Sequence, residues 1–247
     1  MKYMGSKSRI AKHIVPILQK FIDDNNIHKY VEPFVGGANI IDKIKCDERY
    51  GFDKNRYLIA LLNHVKNDGQ LYDVVSKQLY NDARNCFRNG GNEFCDWELG
   101  NIGFLASYNG RFFDGGYAKS GYEKGKIRNY YEESKKNIIK QSKKLNGISF
   151  QCCDYKECIE LPFDNNMLIY CDPPYSETKQ YKNSFYFDYK EFWETVRKWS
   201  KYNIVIISEL KAPSDFECIW EQEVSRSIKA KDKRKVTEKL FMYRGEK

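Results

Sequence analysis

Apolar residues recur at helical spacing over residues 8–22, where Ile10, Ile14, Ile17, Leu18, Phe21 and Ile22 share one face and Pro16 predicts a kink. A short strand is expected at 29–34. The tight turn Val35-Gly36-Gly37-Ala38 then breaks the pattern, and Ile40, Ile41 and Ile44 predict a helix over 39–45. Residues 50–53 read as a second strand ending on an acid. Leu58, Leu61, Leu62 and Val65 mark one further helix; Leu71, Val74, Val75 and Leu79 mark another. Between about residues 55 and 146 no convincing strand appears, and the five glycines of 109–127 are loop or hairpin chemistry. A basic helix over 131–145 is expected to stop at Gly147, a good C′ residue. Strand signals return at 149–154, 167–171 and 203–208. Between the last two, Asp188 and Glu191 form a capping box ahead of Phe192, Val196 and Trp199. Residues 217–220 and 240–243 are expected to close the sheet as a strand pair. Strand–helix alternation is thus interrupted once, which describes an α/β sheet domain (1–55 and 147–247) carrying an inserted helical module (56–146).

With 247 residues, 41% of them hydrophobic, the chain can bury one sizeable core with an insertion. No stretch approaches 18 apolar residues, which argues against a membrane span, and the basic opening does not resemble a secretory signal; a cytoplasmic location is expected. Eight cysteines include no Cys-x-x-Cys pair, and Cys152, Cys153 and Cys158 lack the spacing of a structural zinc site. No metal is expected, and most cysteines are read as small buried hydrophobes in a reducing compartment. The net charge of +8 is unevenly placed. Residues 111–146 hold ten Lys/Arg against four Asp/Glu, and residues 225–247 hold nine against three. Basic segments interleaved with Phe112, Phe113, Tyr117, Tyr122, Tyr130 and Tyr131 suit a polyanion, although a solvated lysine face would look the same.

The sharpest chemical feature is Asp172-Pro173-Pro174-Tyr175, directly after the apolar run 167–171. Two prolines end a strand and stiffen the backbone beyond it. In an open α/β sheet, the carboxyl end of a strand is where ligands bind. Asp172 and the Pro173 carbonyl are both acceptors, so together they could take the two hydrogens of an aromatic amine and aim its lone pair outward. Tyr175 could stack on a base drawn out of a duplex. A second, weaker feature is Glu32-Pro33-Phe34-Val35-Gly36-Gly37-Ala38, whose glycines let a ligand approach the backbone. Asp53, about 20 residues on, suits a ribose hydroxyl, although such an acid is also a common helix cap.

In this order, the glycine turn and the DPPY motif resemble the α-type N6-adenine DNA methyltransferases, and the Dam-like class above all. The opening Lys2-Tyr3-Met4-Gly5-Ser6-Lys7 resembles that class's aromatic-x-Gly-x-Lys start. The resemblance implies a Rossmann-like S-adenosylmethionine-dependent methyltransferase sheet with an inserted DNA-recognition module. It implies that Tyr3, Lys7, Glu32, Phe34, Gly36, Asp53, Asp154, Tyr155 and Asp172 bind S-adenosyl-L-methionine, with no metal. Asp172, Pro173, Pro174 and Tyr175 would be catalytic. Asn109, Arg111, Lys119, Lys124, Lys126 and Arg128 would contact double-stranded DNA. Residues 106–117 resemble the family's DNA-reading stretch only loosely, so no target sequence carries over. Ala38 stands where the family has a second glycine, which a helical φ there would tolerate. A monomer, bacterial or phage-encoded, is expected, with a cognate restriction endonuclease left open as a partner. Three rival readings stand beside this one: an RNA adenine-N6 methyltransferase, a DNA-binding relative without catalysis, and a protein-amide methyltransferase. The last typically carries Asn where Asp172 stands.

Overall fold

In a computed structural model, which describes residues 1–123, 125–160, 165–174, 187–229 and 232–245, the chain is built on one seven-stranded sheet. In chain order the elements are α1 (Ala11–Asp24), β1 (Lys29–Glu32), β2 (Glu48–Asp53), α2 (Arg56–Lys66), α3 (Lys77–Asn89) and α4 (Asp96–Gly100), then a short hairpin of β3 (Gly121–Glu123) and β4 (Lys126–Arg128). They continue with α5 (Tyr130–Ser142), β5 (Ile148–Cys152), β6 (Met167–Cys171), α6 (Tyr189–Trp199), β7 (Ile204–Glu209), β8 (Phe216–Lys229) and β9 (Asp232–Tyr243). The sheet order is β5-β2-β1-β6-β7-β9-β8; the first five are parallel and β9 runs antiparallel between β7 and β8. Chain order reverses between β1 and β6, which makes the gap beyond their carboxyl ends the topological switch point.

Alternating side chains explain the layers. Tyr30, Leu168 and Ile206 join one core with Ile14, Leu18 and Ile22 of α1, Leu58, Leu61 and Leu62 of α2, and Ile138 of α5. Their neighbours Val31, Ile169 and Ile207 join a second core with Phe192, Val196 and Trp199 of α6. Both faces of the central strands are covered, which is why residues 167–171 are apolar throughout and all buried. Pro16 lies inside α1, on its exposed side.

Several expectations are corrected. The helix predicted over 39–45 is only a 3₁₀ turn, Ile41–Lys43. Ile40, Ile41 and Ile44 are buried, but Arg49 Nη1 donates to the carbonyls of Ile41 (3.5 Å) and Ile44 (3.3 Å), satisfying acceptors that a helix would have paired internally. The apolar set Leu71, Val74, Val75 and Leu79 does not form one helix. Val74 is 72% exposed, and α3 begins only at Lys77, where the Ser76 hydroxyl accepts from Leu79 N (3.0 Å). The helix expected over 131–145 ends at Ser142; Gly147, φ +73°, serves a later turn. The closing strands are far longer than expected; the glycine-rich segment does hold a hairpin, β3–β4, so the stretch from 55 to 146 is not without strands. Of the capping box, Asp188 accepts from Glu191 N (3.0 Å), while the Glu191 carboxylate pairs instead with Lys156. The cysteines are all free, but only Cys86 and Cys171 are buried, and Cys95, Cys152 and Cys218 are exposed. No helix among the described residues is long and apolar enough to cross a membrane.

Candidate active site

β1, β2 and β6 end side by side, and each delivers an acid to the carboxyl edge: Glu32, Asp53 and, one residue beyond β6, Asp172. Asp53 ends its strand at the point where α2 begins. Its Oδ2 accepts from Gly36 N (3.2 Å) and its Oδ1 from Asn55 N (2.9 Å). It is therefore not the cap of α2, a role that falls to Asn55, whose Oδ1 accepts from Tyr57 N and Leu58 N (both 3.1 Å). Asp53 instead ties the glycine turn to the start of the helix. Burial pushes its carboxyl above the ordinary range, opposed by those two N–H groups. A carboxylate has about four lone-pair positions, so two backbone donors leave acceptor capacity for a hydroxyl.

The glycine turn is shaped by Tyr3. Gly36 has φ +47°, and a Cβ there would stand 2.9 Å from Tyr3 Cε1; one at Gly37 would stand 2.8 Å from Tyr3 Cβ and 2.6 Å from Asn39 Nδ2. Ala38 does not take the right-handed φ expected of it. It lies at φ +53° and is fully buried, a left-handed residue where a glycine would be unstrained. Gln141 of α5 helps to hold it there, its Nε2 donating to Gly37 O (3.0 Å) and Ala38 O (2.8 Å). The sequence offered one signal for Gln141: it sits in phase with the buried Tyr131, Ser134 and Ile138 of α5, a polar residue at an inward position.

Lys7 lies in a 3₁₀ turn, Lys7–Arg9, that carries its side chain into the site. The side chain is 4% exposed, and its Nζ donates to Asp172 Oδ1 at 2.5 Å; the Asp172 side chain is 22% exposed. A lysine is buried only when paired, and here the pairing carboxylate is that of the DPPY motif. Burial, together with Asp53 and Asp172, pushes the Tyr3 phenol well above its ordinary value, so it stays protonated. Glu32 is 3% exposed and accepts from Tyr30 Oη (2.8 Å). Burial raises its carboxyl well above the ordinary range, against the hydrogen bond from Tyr30 and with the help of nearby Asp172. Pro173 is buried, and the Pro174 carbonyl accepts from Tyr189 Oη at the start of α6, a contact that no local sequence signal announces. Phe34 packs against Tyr155 (5.2 Å between centroids), Phe187 and Phe192, forming an aromatic wall. The carboxylate of Asp154 accepts from Lys156 N (3.1 Å). Tyr175 lies outside the described residues.

The residues expected to meet DNA form a second group. Asn109 is left-handed (φ +56°) in a 3₁₀ turn that abuts the start of the chain, since a Cβ at Gly110 would lie 2.5 Å from Lys2 O. Tyr3 also faces Phe104 (5.8 Å), so one side chain touches both the glycine turn and the segment leading into this loop. Arg111 and Lys119 are exposed. Arg128 forks onto Glu133 (2.8 and 2.7 Å) and lies over the Tyr130 ring (4.9 Å). Lys124 and the side chain of Lys126 lie outside the described residues. Among the described residues, no group of three or more His, Cys, Asp or Glu could hold a metal ion.

A doubly wound sheet that gathers a strained glycine turn, a strand-end acid and a Lys–Asp pair at its switch point defines a class: the Rossmann-like, S-adenosylmethionine-dependent methyltransferases. Comparison with known proteins narrows this. The profile of the D12 class N6 adenine-specific DNA methyltransferases matches residues 3–94 and 115–205, and the chain belongs to that family. The type II methyltransferase M.MjaIII of Methanocaldococcus jannaschii is 28% identical over 201 residues, covering 71% of this chain and 68% of that protein. M.FokI of Planomicrobium okeanokoites, also a type II methyltransferase, is 22% identical over 189 residues, again 71% of this chain but 28% of its own length. Likeness to solved structures is loose: a conserved hypothetical protein of Streptococcus pyogenes (TM-score 0.36, 8% identity, 88% of this chain and 86% of that one) and SMU.472 in complex with SAH (TM-score 0.34, 10% identity, 96% and 54%). The profile match includes every residue expected at the cofactor and catalytic sites; Asn109 and Arg111 fall in its gap.

Proposed function

We propose that this adenine-specific DNA methyltransferase transfers the methyl group of S-adenosyl-L-methionine to N6 of an adenine that has been flipped out of a specific DNA site. The observation that carries the reading is the placement of Asp172, stiffened by prolines, at the switch point beside Glu32 and in contact with the buried Lys7. The strained glycine turn and the remaining acceptor capacity of Asp53 fit the cofactor, with Tyr3, Lys7, Glu32, Phe34, Gly36, Asp53, Asp154 and Tyr155 around it. When bound, the cofactor supplies an electrophilic methyl group on a sulfonium. Asp172 accepts one hydrogen of the adenine amino group and the Pro173 carbonyl the other, which favours a tetrahedral nitrogen with its lone pair directed at the methyl group. Lys7 holds Asp172 in place and balances its charge. Tyr189 holds the Pro174 carbonyl, one residue beyond the Pro173 acceptor, which steadies the backbone of the motif before the base arrives. Tyr175 stacks on the flipped base.

In this reading residues 56–146 form the inserted recognition domain and 1–55 with 147–247 the catalytic domain. Asn109 and Arg111 read base edges, and Lys119, Lys124, Lys126 and Arg128 meet the backbone. The protein works in the cytoplasm as a monomer without a metal, and the type II relatives support a cognate restriction endonuclease as its companion. The test is incubation with labelled cofactor and plasmid DNA, total RNA or protein extract. Label on DNA alone is expected; label on RNA or protein with none on DNA would overturn the reading.

A further inference from the structure

β9 pairs with β7 only over Lys239–Met242, with Glu209, the last residue of β7, opposite Lys239. β7 is parallel to β6 and β1, so Glu209 marks the carboxyl edge, the edge that carries Asp172. β9 runs the other way. Its residues 232–238 therefore continue past that edge, with β8 (222–229) as the one strand beside them among the described residues. At about 3.4 Å per residue they form a two-stranded ribbon extending about 24 Å beyond the sheet. The ribbon is rooted in the fold: Val224, opposite Val236, packs against the main core. Past that point, residues 225–235 hold six Lys/Arg and one Asp.

The register concentrates this charge. Arg226 stands directly opposite Arg234, while Lys233 and Lys235 are paired with Ser227 and Ser225. Like charges directly opposite each other destabilise an antiparallel pair, and a lone two-stranded hairpin is marginal at best. Charged side chains, lysine above all, commonly guard an exposed edge strand, but here both strands of the ribbon carry the charge, with Arg226 opposite Arg234. An arm whose outer part carries six Lys/Arg against one Asp, on strands that run past the edge where the substrate enters, suits an extended polyanion. The family profile ends at residue 205, so the ribbon lies wholly outside the match.

We propose that the β8–β9 ribbon is a second DNA contact, gripping the phosphate backbone independently of sequence while residues 109–128 approach the target bases. The proposal rests on duplex DNA being the substrate. The test is a protein with Arg226, Lys229, Lys233, Arg234 and Lys235 all changed to Gln. Fluorescence anisotropy is measured with a target and a random-sequence duplex between 50 and 200 mM salt, and cofactor affinity by calorimetry. The ribbon variant should bind both duplexes at least tenfold more weakly, with a log–log salt slope smaller by about 0.9 for each phosphate that the ribbon neutralises, and should bind the cofactor as wild type does. Unchanged affinity and slope, or a weakening confined to the target duplex, would overturn the proposal, as would ribbon-dependent binding of RNA or an acidic protein in place of DNA. Wild-type protein that binds no duplex at all would instead overturn the DNA reading beneath it. Hydrogen exchange on wild-type protein gives a check that does not depend on the variant folding: amides of 222–229 and 232–238 should gain protection with DNA, and no gain contradicts the proposal.

Discussion

Replacing Gly36 with alanine tests how Tyr3 shapes the cofactor turn, because the structure separates the contributions. The left-handed backbone (φ +47°) costs an alanine about 1–2 kcal/mol. Its Cβ would stand 2.9 Å from Tyr3 Cε1 and 3.3 Å from Cδ1, an overpacking worth about 1–3 kcal/mol. The stiffer unfolded chain returns about 0.4–1 kcal/mol. The net loss is about 3 kcal/mol, which for a chain of this size lowers the melting temperature by roughly 6–12 °C. In a Tyr3→Ala background the overpacking disappears and the same change should cost only about 1 kcal/mol. A double-mutant cycle by thermal and denaturant unfolding reads the difference. Equal costs in both backgrounds would show that Tyr3 does not pack on the turn. Ala38→Gly is the contrasting case: relief of the left-handed strain, about 1–2 kcal/mol, is nearly cancelled by chain entropy and by the loss of a buried methyl worth about 0.8 kcal/mol, so stability should barely move.

Glu32→Gln should raise stability at neutral and alkaline pH. The folded Glu32 carboxyl is held above its ordinary value of 4.5, so its contribution is fully present below that pH and is lost as pH rises through the folded value. Variant and wild type should therefore melt alike near pH 4 and diverge towards pH 8, with the variant higher; parallel curves refute this. Asp53→Ala strands the N–H groups of Gly36 and Asn55, at about 1–3 kcal/mol each, and calorimetry should show weaker S-adenosylmethionine binding; unchanged affinity would move the pocket elsewhere. Lys7→Met removes the charged donor at 2.5 Å from Asp172, a bond worth about 1.5–3 kcal/mol, so turnover should fall at least tenfold, a drop that steady-state assays detect. Arg111→Ala should cost roughly 1–3 kcal/mol on the target duplex alone, whereas Lys119→Ala should weaken all duplexes and lower the salt slope by about 1. If Arg111→Ala weakens target and random duplex equally, the loop is not the reader.

The sheet was largely legible because its signals are local: apolar runs, the glycine turn and the double proline place β1, β2, β5, β6 and β7 to within a few residues. The elements misread have different physical causes. Ile40, Ile41 and Ile44 look helical, but the left-handed Ala38 and the Arg49 guanidinium hold them in a turn. Leu71 and Leu79 share a period by accident, while the start of α3 was announced by Ser76 and its end by Gly90, at φ +68°. The long β8–β9 ribbon was missed because its outer half is polar and lacks the alternation that marks a half-buried strand. At the site, the individual acids and the lysine stood out. Their partnerships did not, since Lys7 and Asp172 are 165 residues apart and Gln141 reaches Gly37 across 104.

The most direct test is nucleoside analysis of duplex DNA incubated with S-adenosylmethionine and either wild-type protein or Asp172→Ala. Wild type should convert adenine to N6-methyladenine at one sequence context. The variant, lacking one aimed acceptor, should be slower by about 2.7–4 kcal/mol, on the order of 10²–10³ in rate, with cofactor affinity within a few-fold of wild type. Methylation of cytosine in place of adenine, or wild-type turnover from Asp172→Ala, would contradict the account.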